Sequence, residues 1–370
     1  MSRLKDLSAA GTSVWLDFVE RGFLHRGELT KLIEEDGVSG VTSNPAIFQK
    51  AMAPGGSYDA DLRAMAGDPG MADPLVRYER MAIEDIRAAA DMLAGVYAAT
   101  AARDGYVSLE VSPRLARDAE ATVREALDLW KRVDRPNLMI KVPGTEEGAL
   151  AVGRLIEEGL SVNVTLLFSV DAYRRVADAY MTGLSRRLRA GKPIDRIASV
   201  ASFFVSRIDA MIDGEIDRRI AGGDAEAERL RALRGQAAIA NARLAYAVFE
   251  EILASSDWAT LARASAMPQR LLWASTGTKD PTYSPTLYVD ELIGPETVNT
   301  MPPATLAAFR EQGQVSATLP GDVAEAQRVI AGLKEHGIDL ATVTSTLTVD
   351  GIASFKTSFD EMLRGLQSAG

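Results

Sequence analysis

Eight short, mostly apolar runs recur along the chain, and most are followed by a turn and then by apolar positions at helical spacing. They cover 13–18, 38–45, 106–112, 138–145, 162–169, 197–205 and 270–275, with a weaker run at 296–300. Helical patterns occupy 27–33, 74–97, 116–133, 146–158, 170–188 and 225–253; in 116–133, Val123, Leu127 and Trp130 fall at helical spacings. Strands alternating with helices predict βα units and a parallel sheet, whose doubly buried strands read as near-continuous apolar runs. Eight such units predict a (β/α)8 TIM barrel, for which about 250 residues is typical. The 370-residue chain exceeds that. The surplus falls in a loop-rich stretch at 49–73, a long helical arm between the sixth and seventh strands, and a tail after Met301 ending in amphipathic helices that include 355–366. No Pro-, Gly- or Ser-rich linker divides the chain, so a single domain over 1–370 is expected. A doubly wound open sheet is the alternative, but no Gly-rich dinucleotide turn marks a switch point.

Polar residues interrupt this pattern at one end of nearly every run. Lys141 sits in Leu138-Met139-Ile140-Lys141-Val142-Pro143-Gly144-Thr145, where a buried ammonium is costly unless paired, neutralised or exposed at the strand end. A lysine amine held neutral is a nucleophile that makes Schiff bases with carbonyl substrates. Asp17 ends the first run, Thr42, Ser43 and Asn44 the second, and Glu110 the third. Asn163 and Thr165 lie in the fifth, Ser202, Phe204 and Arg207 at the end of the sixth, and Ser275 ends the seventh with Lys279 four residues on. Singly, each has a plain reading. Lys141 could snorkel to water, Asp17 could cap a helix, and Thr42 to Pro45 could form a simple turn. Glu110 could lie on a surface edge, Asn163 and Thr165 could satisfy backbone groups, and Arg207 could pair with Asp209 in solvent. Ser275 to Lys279 lacks P-loop spacing. The coincidence of so many polar strand ends is what points to a site, since barrel active sites sit at the C-terminal ends of the strands.

Composition narrows the chemistry. There is no cysteine, which excludes disulfides, thiolate metal sites and cysteine nucleophiles. The two histidines, His25 and His336, exclude a histidine-rich metal site and nearly exclude a Ser/His/Asp triad. His25 reads as part of a solvated turn. A net charge of −10 argues against nucleic acid or an anionic membrane as the main partner, though a local basic pocket for phosphate remains open. The N-terminus has no signal-like apolar region, and no apolar stretch reaches the length of a membrane span; a soluble cytoplasmic protein is expected. In such a site the lysine imine would serve as electron sink, with Asp17 and Glu110 moving protons. Arg207, Ser275 and Lys279 could hold a phosphate that positions the ketone.

The motifs Trp15-Leu16-Asp17, Gly40 to Pro45, Ser108 to Val111, Ile140 to Thr145, Val162 to Leu166 and Ser202 to Arg207 together resemble the transaldolase family over essentially the whole chain. The length and the stretch Trp273 to Lys279 resemble its longer bacterial and plant-like branch. The resemblance implies a class I aldolase barrel of the pentose phosphate pathway. Its reaction would move a dihydroxyacetone unit from sedoheptulose 7-phosphate to glyceraldehyde 3-phosphate, giving erythrose 4-phosphate and fructose 6-phosphate. It implies Lys141 as the Schiff-base lysine, Asp17 as the acid/base at the C4 hydroxyl, and Glu110 with Thr165 holding the catalytic water. Thr42, Asn44, Asn163, Ser202 and Phe204 match substrate-contacting positions, and Arg207 and Ser275 match phosphate ligands. No metal or organic cofactor is implied. One departure stands out: many members carry an arginine two residues after the serine, where this chain has Gly277, and Lys279 is the expected substitute.

A fructose-6-phosphate aldolase-like enzyme releasing dihydroxyacetone is the nearest alternative. Those relatives are shorter and tend to carry Gln at the position of Glu110 and Tyr at that of Phe204. A catalytically silent barrel acting as a scaffold is the alternative of another class, opposed by the presence of Asp17, Glu110 and Lys141. No appended isomerase segment is expected, and both monomer and homodimer stay open.

Overall fold

The computed structural model describes residues 2–368. Eight parallel strands close into a barrel in chain order: β1 Thr12–Leu16, β2 Gly40–Thr42, β3 Tyr106–Glu110, β4 Leu138–Pro143, β5 Val162–Leu167, β6 Ser199–Phe204, β7 Gln269–Ala274 and β8 Thr297–Met301. This is the expected (β/α)8 TIM barrel with additional helices and a helical C-terminal segment. Every residue of β3 through β8 is buried, which is why these strands read as apolar runs. After β2, β4 and β5 the turns are short, and polar residues there cap the next helix. Asn44 Oδ1 accepts from Ile47 N at the start of Pro45–Ala51, Thr145 Oγ1 from Gly148 N at the start of Glu146–Glu158, and Ser169 Oγ from Ala172 N at the start of Val170–Arg189. Gly40 lies against the face of Trp15, where a Cβ would stand 2.4 Å from the indole, so only glycine lets the first two strands pair here.

Strand register decides which side chains share a layer. Glu110 of β3 pairs with Lys141 of β4, and Lys141 pairs with Asn163 of β5. Pro143 pairs with Thr165 one layer nearer the C-terminal end. Partners in register point the same way, so Glu110, Lys141 and Asn163 form one interior row. At the opposite end of the barrel the buried Arg270 donates to Asp104, Ser13 Oγ and the Arg103 carbonyl, while Trp15 Nε1 donates to Asp104 at 2.8 Å. That cluster answers its own charges and ties the base of β1 and β7 to the segment before β3.

Several expectations need correction. Asp17 lies one residue beyond β1, and Ser275 one beyond β7 with φ +56°. Lys141 lies within β4, two residues before its end, rather than at the terminus. Arg207 is in the first turn of the helix Ser206–Ala221, which the sequence pattern did not announce. The arm at 225–253 breaks into Ala227–Leu233 and Ala237–Leu253. The stretch 49–73 contains the helix Asp59–Met65, and His25 ends a short helix, Arg21–His25, instead of sitting in a turn. In Ala119–Val133 the buried stripe is Thr122, Val123, Ala126, Leu129 and Val133; Leu127 faces solvent.

The tail adds Pro303–Gln312, Val323–Glu335 and the long helix Leu340–Ser368. The last packs on Pro45–Ala51 and Pro74–Ala99, with Phe359 edge-on to Tyr78 at 5.6 Å. Its Phe355 is buried against the mouth of the barrel, above Lys141.

Candidate active site

A cavity of about 780 Å³ opens at the C-terminal ends of the strands. Of the strand-end residues singled out from the sequence, all line it except Ser43, Glu110 and Asn163, which stand behind that wall. Lys141 is at its floor with a side chain only 5% exposed. Its Nζ donates to the Ser43 carbonyl at 3.0 Å, stands 3.4 Å from Glu110 Oε2, and lies 5.9 Å from the centre of the Phe355 ring. The sequence's apparent anomaly is thus a buried lysine that does not snorkel: a carboxylate and a carbonyl answer its charge.

Two carboxyls share that lysine. Burial pushes Glu110 up to about 7, opposed by Lys141 and reinforced by the charge of Asp17. Burial also raises Asp17, against the pull of Lys141 and of the Thr42 hydroxyl. Thr42 Oγ1 donates to Asp17 Oδ1 at 2.6 Å and lies 2.7 Å from Thr300 Oγ1. A hydroxyl has one proton, so with Thr42 directed at Asp17 it is Thr300 that donates to Thr42. This chain of donors from β8 through β2 fixes the orientation of Asp17. Two buried carboxyls raised above their ordinary values beside one amine are placed for the proton transfers of general acid–base chemistry.

Behind the lysine the remaining polar groups fall into two sets. Asn163 does not line the cavity: its Nδ2 donates to Ser108 Oγ at 3.0 Å and its Oδ1 accepts from Ser202 Oγ at 2.7 Å. It thereby holds the Ser202 hydroxyl in place. Thr165 Oγ1 and both oxygens of Glu110 are buried without a protein hydrogen-bond partner. Buried oxygens of this kind take water or a ligand as partner.

The far wall is cationic. Arg207 lies over the Phe204 ring at 5.4 Å, and Phe204 packs on Phe168 at 5.2 Å. Lys279 stands at the more exposed rim. Desolvation lowers the pKa of both, and the charge of Arg207 lowers Lys279 further. Among the described residues neither has a carboxylate within ion-pair distance, unlike most arginines of the chain. The alternative of a solvated Arg207–Asp209 pair fails, because Asp209 is buried and bonded to Ala238 N and Tyr288. Ser275 Oγ lies 3.0 Å from Ser206 Oγ beside them. Gly277 lines the same wall, and a Cβ there would meet Thr305 Oγ1 at 3.0 Å. Two unpaired cations with nearby hydroxyls suit a phosphate.

The model of the Transaldolase/Fructose-6-phosphate aldolase family matches residues 14–366. The chain belongs to this family. It is 50% identical to "Transaldolase" of Saccharopolyspora erythraea over 364 residues, covering 98% of this chain and 96% of that protein. It is 49% identical to "Transaldolase" of Thermobifida fusca, with coverage of 98% and 96%, and 46% identical to "Transaldolase 2" of Nostoc sp., with 99% and 97%.

Within this transaldolase/aldolase-family barrel, sequence reasoning missed Thr300, Phe18, Glu20, Lys50, Ser354 and Phe355, which also line the cavity. Thr300 lies on the strand with the weakest apolar signal. Ser354 and Phe355 belong to a helix whose period was readable but whose docking site was not.

Glu110 makes the stability of the fold depend on pH. Its ordinary value is 4.5, and the folded value is about 7. Between them the unfolded chain has lost the proton that the folded chain keeps, so Glu110 costs the fold stability progressively as pH rises through that window. Glu110→Gln does not titrate. Its stability relative to the unsubstituted protein is expected to rise from about pH 4.5 to about 7 and to level off above. The attraction of Lys141 for the ionised carboxylate is already contained in the folded value of Glu110 and adds no separate slope. Urea midpoints across the range measure it, and a difference independent of pH would contradict the assignment.

Proposed function

We infer that the protein is a transaldolase. It transfers a dihydroxyacetone unit from sedoheptulose 7-phosphate to glyceraldehyde 3-phosphate through a Schiff base on Lys141, giving erythrose 4-phosphate and fructose 6-phosphate. The observation that carries this reading is the buried Lys141 amine between Glu110 and Ser43, in a cavity whose other end carries Arg207 and Lys279.

Lys141 Nζ, deprotonated toward Glu110, attacks the C2 carbonyl of the ketose. The carbinolamine loses water as the protonated imine, with Glu110 and a water at Thr165 moving the protons. Asp17 takes the proton from the C4 hydroxyl. The C3–C4 bond then breaks, its electron pair passes into the iminium to give an enamine, and erythrose 4-phosphate leaves. The enamine carbon attacks the aldehyde of glyceraldehyde 3-phosphate, and Asp17 returns its proton to the new alkoxide. Water then hydrolyses the imine and frees Lys141. No further electron sink is needed. Thr42, Asn44 and Ser202 face the hydroxyls, and Arg207, Lys279 and Ser275 hold the phosphate, so that binding energy far from the reacting carbons places C2 at the amine. Phe355 and Phe204 shield the enamine from water between the two half-reactions.

This reading puts the protein in the pentose phosphate pathway of the cytoplasm. Among the described residues no helix is long and apolar enough to cross a membrane. The test is a product assay with fructose 6-phosphate, with and without an acceptor aldehyde. Transfer requires the acceptor; steady release of dihydroxyacetone without one would identify an aldolase instead.

A further inference from the structure

The helix Ser206–Ala221 carries Asp209, Asp213 and Asp217 one turn apart, hence on one face. Asp209 and Asp213 are buried, where a carboxylate must be hydrogen-bonded to be tolerated. Their partners come from the segment after β7. Tyr288 OH donates to Asp209 at 2.9 Å, and Tyr283 OH donates to Asp213 at 2.8 Å. Arg234 grips both oxygens of Asp217 at 2.9 and 3.0 Å and reaches Asp280 at 2.6 Å. The backbone N–H groups of Ala238 and Gly235 complete Asp209 and Asp213 at 2.8 and 2.9 Å. Gly235 has φ +73°, and a Cβ on it would stand 2.8 Å from the Tyr283 oxygen. The glycine makes room for that phenol, and Arg234 lies over its ring at 5.5 Å.

This ladder joins the two cations of the far wall. Arg207 stands two residues before Asp209 on the same helix, and Lys279 stands immediately before Asp280. Between β7 and the short helix Leu287–Asp290 there is no regular element to hold the segment that carries Lys279. Arg207 and Lys279 also repel one another whenever no anion lies between them. An otherwise irregular segment would relax away from Arg207.

We propose that Tyr283, Tyr288 and Arg234 are positioning residues that hold Lys279 beside Arg207 against their repulsion, and so set the enzyme's affinity for the phosphate of its substrates. This rests on the transaldolase reading above. A ladder that merely stabilised the fold would affect all substrates alike; one that shapes the phosphate pocket discriminates between them.

The experiment uses the full chain with Tyr283→Phe and Tyr288→Phe together, assayed with glyceraldehyde 3-phosphate and with unphosphorylated glyceraldehyde as acceptors. The expected result is a KM for the phosphorylated acceptor raised about tenfold, the scale of losing hydrogen bonds to charged groups. The KM for glyceraldehyde and kcat for both should stay within about twofold, the usual range for a site not directly touched. Inorganic phosphate should weaken as a competitive inhibitor by the same factor as the phosphorylated acceptor. In a Lys279→Met background the tyrosine substitutions should add nothing further, because the ladder acts through that lysine. Equal changes for both acceptors, no change for either, or full additivity with Lys279→Met would overturn the proposal. If the double variant does not fold, Tyr283→Phe alone carries the same comparison. An unsubstituted enzyme that fails to transfer dihydroxyacetone would overturn the transaldolase reading and this inference with it, whereas a competent enzyme with unselective variants would overturn only the ladder.

Discussion

Lys141→Ala is expected to lose at least about 10⁴-fold in turnover, as nucleophile removals do, and to leave a folded protein that borohydride cannot trap with fructose 6-phosphate. The fold should survive because the group left behind can neutralise itself. Without the lysine, burial and Asp17 both favour the protonated form of Glu110, and its uncharged carboxyl is tolerable there. Removing one partner of a buried ion pair otherwise costs about 3–5 kcal/mol; protonation of Glu110 reduces that. Mass spectrometry of the reduced, digested protein should place the adduct of the unsubstituted enzyme on the peptide containing Lys141. Retained activity in Lys141→Ala, or an adduct on another lysine, would remove the mechanism's centre.

Asp17→Asn separates imine formation from bond cleavage. The substitution keeps the size of the side chain and an oxygen for the Thr42 hydroxyl but abolishes the base. Turnover should fall by about 10²–10⁴-fold, the scale of a positioned general base. Borohydride trapping on Lys141 should persist, because the amine, Glu110 and Thr165 are untouched. Loss of trapping together with turnover would mean that Asp17 serves imine formation, and its place in the mechanism would have to change. Single-turnover release of the aldehyde product, set beside trapping yield, reads the two steps separately.

Much of this site was readable from strand ends because a parallel barrel directs all its C-terminal strand ends to one face. Asp17, Thr42, Lys141, Thr165 and Ser202 could be aligned without knowing any distance. What escaped depends on contacts between distant segments. That Asn163 is bonded between Ser108 and Ser202 on neighbouring strands is not encoded in its own run. In β5, Leu166 adopts φ +60° and the pairing with β6 slips between Val164 and Leu167. A leucine is a poor occupant of that region, so nothing local announces the bulge that follows Thr165. Leu127 shows the complementary failure: helical spacing groups residues but does not say where the buried arc ends. The helix Ser206–Ala221 was missed because its apolar positions are interleaved with the aspartates that bind Tyr283, Tyr288 and Arg234.

The placement of Phe355 over Lys141 has a consequence for the order in which the protein is made. All eight strands precede the helix Leu340–Ser368 in the chain, so a nascent polypeptide can close its barrel and bring Lys141, Asp17 and Arg207 together before the ring that covers the amine has left the ribosome. Chain order thus allows barrel closure and completion of the reaction chamber to be separate events. A half-made chain would present its amine to water, and any enamine formed on it would be lost to protonation and hydrolysis. Under the proposed mechanism, docking of the final helix is the step that would let the amine hold a three-carbon fragment until its acceptor arrives.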